Sequence, residues 1–167
     1  MLIIKDTMVL IHLAKLSVLE KSCDYFKNVL IPESVYEEVL KGSNKQYADV
    51  PIITGIIRNK KMKIMGIKGN ILVKKANQFN LRGGEADAVA LYWQQKADIL
   101  ATDDDNVRKK RELLGIAVTG TPGILLTLYK EKRIDRTKMR NSIAELKNIG
   151  WFSTIVLDKM LQEAENG

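Results

Sequence analysis

A three-layer α/β/α fold, with a central parallel sheet and closing helices at the C-terminus, is predicted by three observations. Short apolar runs alternate with amphipathic stretches as far as about residue 130. The runs tend to end on an acidic residue, as in LIIK-Asp6 and DILAT-Asp103-Asp104-Asp105. At 167 residues and 46% hydrophobic composition, the chain can bury an ordinary core. Strand followed by helix, repeated, is the pattern of right-handed βαβ units around a parallel sheet.

The elements follow in order. Met1 to Ile4 suits a buried strand, and Asp6-Thr7 offers helix-capping chemistry before Met8, Val9, Ile11, His12 and Leu13. Val29 to Ile31 is a second strand, with Pro32 at the first position of a helix whose apolar face is Val35, Tyr36 and Val39. Ile52, Ile53, Ile56 and Ile57 recur at helical spacing, and a short strand is expected at Lys63 to Met65. A helix over about 70–80 ends at Arg82-Gly83-Gly84, and the next carries Ala86, Val89, Ala90 and Trp93 on one face. Asp98 to Ala101 reads as a strand, Val107 to Leu114 as a helix stopped by Gly115, and Ile116 to Thr119 as a further strand. A helix through Tyr129 and two closing helices over 135–147 and 153–164 complete the chain. The expected organisation is a principal domain over 1–130, with a helical extension over 131–167 packed on it.

Twenty-seven Lys and Arg against 20 Asp and Glu give a net charge of +7, which favours a polyanionic partner. The single cysteine, Cys23, excludes an intramolecular disulfide and a thiolate zinc cage, and fits a reducing compartment, with the cytoplasm expected. Neither a signal peptide nor a membrane-spanning run is read in the sequence, so no membrane partner is expected.

Clustered acids in a basic protein point to a divalent-metal site at the carboxyl edge of the sheet. The candidates are Asp6, Glu38, Glu85, Asp87, Asp103, Asp104 and Asp105. Glu38 flanks the Val35/Val39 stripe whereas Glu37 points away, so Glu38 is the better inward ligand. Glu85 and Asp87 lie about 200° apart on an ideal helix; Asp87 is favoured, with Glu85 the second candidate. Two carboxylates 4 Å apart repel by about 4 kcal/mol at an effective dielectric near 20, so such a cluster requires cations, protons or basic neighbours. Oxygen-only ligands favour Mg²⁺ or Mn²⁺ over Zn²⁺. Each acid also has a structural role open to it, since Asp6 and the Asp103 to Asp105 run are good helix starts.

The segments KDTMVLIHLAK, PESVYEEV, GGEADAVAL and LATDDDNVRKKRELLGIAVTGT, in this order, resemble the PIN domain family of metal-dependent ribonucleases. The resemblance covers about residues 1–130, and the GGEADA and VTGT segments look most like a prokaryotic subgroup of uncharacterised PIN proteins rather than the most typical toxins. It implies Asp6, Glu38, Asp87 and Asp104 as catalytic metal ligands, with Glu85, Asp103 and Asp105 secondary, and matches Thr7 and Thr102 to hydroxyl residues beside the acids. It implies a metal-dependent endoribonuclease acting on RNA, a homodimer and a small antitoxin partner. Met8 stands where Asn or Ser is common, and Asn106 where an acid is often found.

Arg108, Lys109, Lys110 and Arg111 offer one helical face for RNA phosphates, with Arg108 and Lys109 as substrate-binding candidates; Lys60, Lys61 and Lys63 form a second basic patch. His12 and Cys23 read as core residues. Two competing functions share the acidic strand ends: a non-catalytic RNA-binding or assembly module, and a receiver-like domain phosphorylated on one aspartate.

Overall fold

The computed structural model describes residues 1–43 and 48–167. They divide into two compact units, Met1–Gly120 and Thr121–Gly167. The first unit holds a five-stranded sheet. Its strands are β1 (Leu2–Lys5), β2 (Asn28–Pro32), β3 (Lys63–Met65), β4 (Ile99–Ala101) and β5 (Val118–Thr119), in the spatial order β3-β2-β1-β4-β5. Every pairing is parallel, with Ile3 level with both Val29 and Ile99, and Leu30 level with Lys63. The chain leaves β1 toward β2 and β3, then crosses to the other side of β1 for β4 and β5. The carboxyl ends of β1 and β4 therefore flank the topological switch point, where open α/β sheets leave a crevice.

The connecting helices are α1 (Thr7–Lys15), α2 (Leu19–Phe26), α3 (Glu33–Ser43), α4 (Asp49–Arg58), α5 (Ile71–Asn77), α6 (Gly83–Gln95), α7 (Asp105–Lys109) and α8 (Arg111–Leu114). They cover both faces of the sheet, giving three layers, which is why the strands are apolar on both sides instead of alternating. Ile4, Leu30 and Leu100 pack with Ala86, Val89 and Leu91 of α6, and Val107 and Leu114 close the same core. On the opposite face the Lys5 side chain reaches α2. Thr121–Gly167 contains α9 (Thr121–Lys130), α10 (Arg136–Ile149) and α11 (Thr154–Asn166), tied by Tyr129 Oη donating to the Ala164 carbonyl at 2.9 Å.

Three local details differ from the sequence reading. Pro32 ends β2 instead of opening α3; at a strand end its missing N–H costs no ladder bond. The helix expected over 107–114 is two short helices meeting at Lys110. There the Lys110 amide bonds back three residues to Val107 while Nζ donates to the Phe79 carbonyl at 2.7 Å, tightening the turn. Helix α2, which periodicity did not single out, follows a turn in which Ser17 takes a φ of 57°.

Lys5 is fully buried at the end of β1. Its ammonium donates to Ser22 Oγ, lies 3.8 Å from Cys23 Sγ and 5.7 Å from the Phe26 ring centre, and pairs with no carboxylate among the described residues. Burial pushes its pKa below the usual 10.5, with Cys23 acting the other way. Burial likewise pushes the Cys23 thiol up, opposed by Lys5. A charge kept out of water with one neutral acceptor opposes folding. Lys5→Met combined with Ser22→Ala is expected to stabilise the protein by about 1 kcal/mol or more at neutral pH. The wild type binds fewer protons folded than unfolded just below pH 10.5, so its own stability rises toward that pH and the gain of the double variant shrinks. Denaturant titrations at several pH values test this, and a double variant less stable than wild type throughout would refute it.

Candidate active site

Four carboxylates line the crevice at the carboxyl edge of the sheet, and uncharged side chains join them in series. Asp6 follows β1 directly, and its amide still bonds the Ala101 carbonyl of β4 at 3.0 Å, which fixes it to the sheet. It caps α1 by accepting from the Thr7 amide at 2.7 Å. The Thr7 hydroxyl then donates to Glu38 Oε2 of α3, also at 2.7 Å. On the other side Thr102 Oγ1 donates to Asp6 Oδ2 at 3.2 Å and accepts from the Asp104 amide at 3.1 Å. Asp104 caps α7, taking the Asn106 amide at 2.8 Å, while Asn106 Nδ2 donates to Glu85 Oε2 of α6 at 3.2 Å. The series is Glu38, Thr7, Asp6, Thr102, Asp104, Asn106, Glu85.

Electrostatics show how crowded these acids are. Burial pushes the Asp6 carboxyl up from 3.8 to about 6; the Thr7 and Thr102 bonds pull it down, and the charges of Glu38 and Asp104 push it up again. Glu85 is also raised, first by burial and then by a hydrogen bond with Asp104 and the Asp104 charge, with Asn106 opposing.

Glycine shapes the rim. A Cβ on Gly84 would stand 2.7 Å from Glu38 Oε1, so the first turn of α6 lies against that carboxylate, where the positive end of the helix dipole favours negative charge. A Cβ on Gly120 would meet Asp103 Oδ1 at 2.7 Å and Arg108 Nη1 at 2.8 Å.

The remaining sequence candidates fall as follows. Asp87 is half-buried on α6 and its side chain makes no hydrogen bond or ion pair among the described residues, whereas Glu85, two residues earlier, joins the series. Asp103 turns away from the crevice to His12 Nδ1 at 2.8 Å, a pair buried on both sides. Asp105 is exposed in the first turn of α7. Thr7 and Thr102 spend their hydroxyls on the acids. Arg108 Nη1 lies 3.4 Å from the Thr102 carbonyl, and Lys109 is exposed and makes no hydrogen bond or ion pair among the described residues. Sequence reasoning placed His12 in the core, where it is, but not its partner 91 residues away.

The DUF3368 family model, described as a PIN domain, matches residues 2–166. The chain belongs to the PIN domain family. No curated protein matches it. PIN domains are in general nucleases and typically use divalent metals. Among the described residues no three acidic, histidine or cysteine side chains are grouped so that they could hold a metal ion; the acids of this PIN domain run as a string along the sheet edge. Their chemistry nonetheless suits a hard dication: the donors are all oxygen, and the neighbouring charges that add to burial in raising Asp6 and Glu85 are what a cation would neutralise. No helix is long and apolar enough to cross a membrane among the described residues.

Two outcomes are expected. The folded Asp6 carboxyl holds a proton that the unfolded chain has released between pH 3.8 and about 6, so metal-free stability falls as pH rises through that window. Asp6→Asn removes this slope and is expected to be more stable than the metal-free wild type at pH 7 by up to about 3 kcal/mol. Denaturant melts in EDTA would refute this if the variant kept the wild-type slope or lost stability. Gly84→Ala, whose Cβ meets only the mobile end of Glu38, is expected to fold normally but weaken Mn²⁺ binding by about 10-fold or more. Calorimetric titration showing unchanged Mn²⁺ affinity would refute that second expectation.

Proposed function

We infer that this PIN domain is a Mg²⁺- or Mn²⁺-dependent endoribonuclease, with Asp6, Glu38, Glu85 and Asp104 as its metal-binding acids. The observation that carries the reading is the series of four carboxylates bridged by hydrogen bonds at the switch point. Carboxylates arranged only for helix capping would not need to share neutral donors across four separate elements. When bound, a divalent ion supplies Lewis acidity toward a phosphate oxygen and lowers the pKa of a water.

The chain's own residues do the rest. Thr7, Thr102 and Asn106 hold the acids in place without adding charge. Thr7 binds Oε2 of Glu38 and Asn106 Nδ2 binds Oε2 of Glu85, while Asp104 Oδ1 takes the backbone amides of Asn106 and Val107. Beside Glu38 opens a cleft of about 190 Å³ walled by Ile11, Val39, Val50 and Ile53, with Lys41 on its rim. Apolar walls next to an acidic site offer a face against which an unpaired base can lie, which favours single-stranded RNA over a duplex. Asn106, standing where an acid is often found, keeps a place in the series as the link between Asp104 and Glu85.

The test is incubation of purified wild type and Asp6→Asn with single-stranded and structured RNAs in EDTA, Mg²⁺ and Mn²⁺. Cleavage is expected from wild type with metal only, with loss of at least about 100-fold in Asp6→Asn, beyond the cost of disturbing a residue that merely orients a ligand. Metal-dependent cleavage retained by the variant would refute the ligand assignment. RNA binding without hydrolysis in every condition would favour a non-catalytic module.

A further inference from the structure

The opposite edge of the same sheet carries the opposite charge. At the amino ends of β1, β2 and β3 lies a concavity of about 350 Å³, lined by Lys27, Lys60, Lys61 and Lys63 together with Asn28 and Gln95. Lys61 is neutralised locally, its Nζ standing 2.8 Å from Glu20 and 2.9 Å from Asp24. Lys27, Lys60 and Lys63 are exposed, and their side chains make no hydrogen bond or ion pair among the described residues. Three ammonium groups thus share one hollow with no carboxylate answering them.

Their backbone setting does not account for this. Lys27 and Lys60 hold φ values of 64° and 60°, a region where glycine or asparagine costs less. Lys96 and Lys132 share that feature, at 50° and 56°, so helix-end chemistry explains a lysine at such a position. It does not explain why two of them border one concavity with a third lysine from the start of β3. That convergence suits an anion with several charges.

We propose that this lysine basin binds the phosphate backbone of single-stranded RNA, as a second contact for the substrate of the acidic site. The identity of the ligand rests on the ribonuclease reading; the anionic chemistry rests on the basin itself. A site made of carboxylates repels the rest of a polyanionic strand, so affinity has to come from elsewhere on the surface. Strand β2 separates the two edges by five residues, about 16 Å of extended chain, so the basin engages nucleotides distant from the reacting phosphate. Lysines contact phosphates as point charges, and the amides of Asn28 and Gln95 add neutral hydrogen bonds, so the contact is independent of base sequence.

The test compares two triple variants with the wild type. The basin triple is Lys27→Asn, Lys60→Asn and Lys63→Gln, with asparagine chosen because it suits a positive φ. The control triple, Lys15→Gln, Lys74→Gln and Lys159→Gln, removes the same charge from exposed sites elsewhere. Binding of a fluorescent oligouridylate is followed by anisotropy in EDTA from about 50 to 200 mM salt, with thermal melts confirming that all three proteins fold. Loss of three phosphate contacts is expected to make the salt slope of the basin triple shallower by about 2, so that across this range wild type and control lose roughly 20-fold more affinity than it does. Equal slopes and affinities in the two triples would overturn the proposal, because net charge alone would then explain binding. Since no metal is present, an inactive site leaves this readout intact, and an inactive basin leaves the Asp6→Asn cleavage test intact.

Discussion

Like-charge crowding governs this fold from the sheet outward. Four carboxylates from separate elements face one crevice, and no lysine or arginine is hydrogen-bonded to any of them among the described residues. Repulsion of this kind would ordinarily drive the elements apart or select a basic neighbour. The molecule instead interposes hydroxyls and an amide. A threonine or asparagine satisfies carboxylate lone pairs without cancelling the charge, which keeps the anionic potential available to a cation. An arginine in the same place would hold the acids more firmly and abolish the site.

The sheet makes that solution possible. β1 and β4 are neighbours, so their exits deliver Asp6 and Thr102–Asp104 to the same spot, and α3 and α6 add an acid each from the flanking layers. Residues next to the acids are turned inward and anchored: Lys5 precedes Asp6 and is buried against α2, while Asp103 precedes Asp104 and is paired with His12. The Asp103 pair ties the β4–α7 connection to α1, the helix that Asp6 caps. Breaking it from either side would remove one contact of a pair buried on both sides, 3% and 1% exposed, and loosen α1 from the β4–α7 connection.

Much of this was legible in the residues. Parallel strands buried on both faces read as short apolar runs; Asp6 and the Asp103 to Asp105 run stand where such runs end and Glu38 flanks an apolar stripe, so local pattern sufficed to name them as candidates, with Asp104 picked out of its run by the resemblance. Glu85 was harder, because helical phase treats α6 as ideal from its start. Its role depends on Asn106, 21 residues on, and no local pattern reveals that reach. The same holds for His12 with Asp103. The basic run at Arg108 to Arg111 looked like one uniform face; the turn at Lys110 commits Arg108, Lys110 and Arg111 to backbone carbonyls and leaves Lys109 outward. Lys5 was invisible as a core residue, since a lysine closing an apolar run looks like the point where the strand meets water.

The bond from the Asp6 amide to the Ala101 carbonyl also sets the timescales on which the crevice can move. It belongs to the β1–β4 pair at the middle of the sheet, and the Thr102 amide is held in turn by the Thr119 carbonyl of the edge strand β5. Amides of this kind open only when a large part of the domain does, whereas helix starts such as those of α3 and α6 fray on their own. Asp6 and Thr102 therefore form a floor that persists for as long as the fold does, while Glu38 and Glu85 form walls able to breathe far faster. Exchange of ions and strands would then proceed through the walls, without dismantling the floor beneath them.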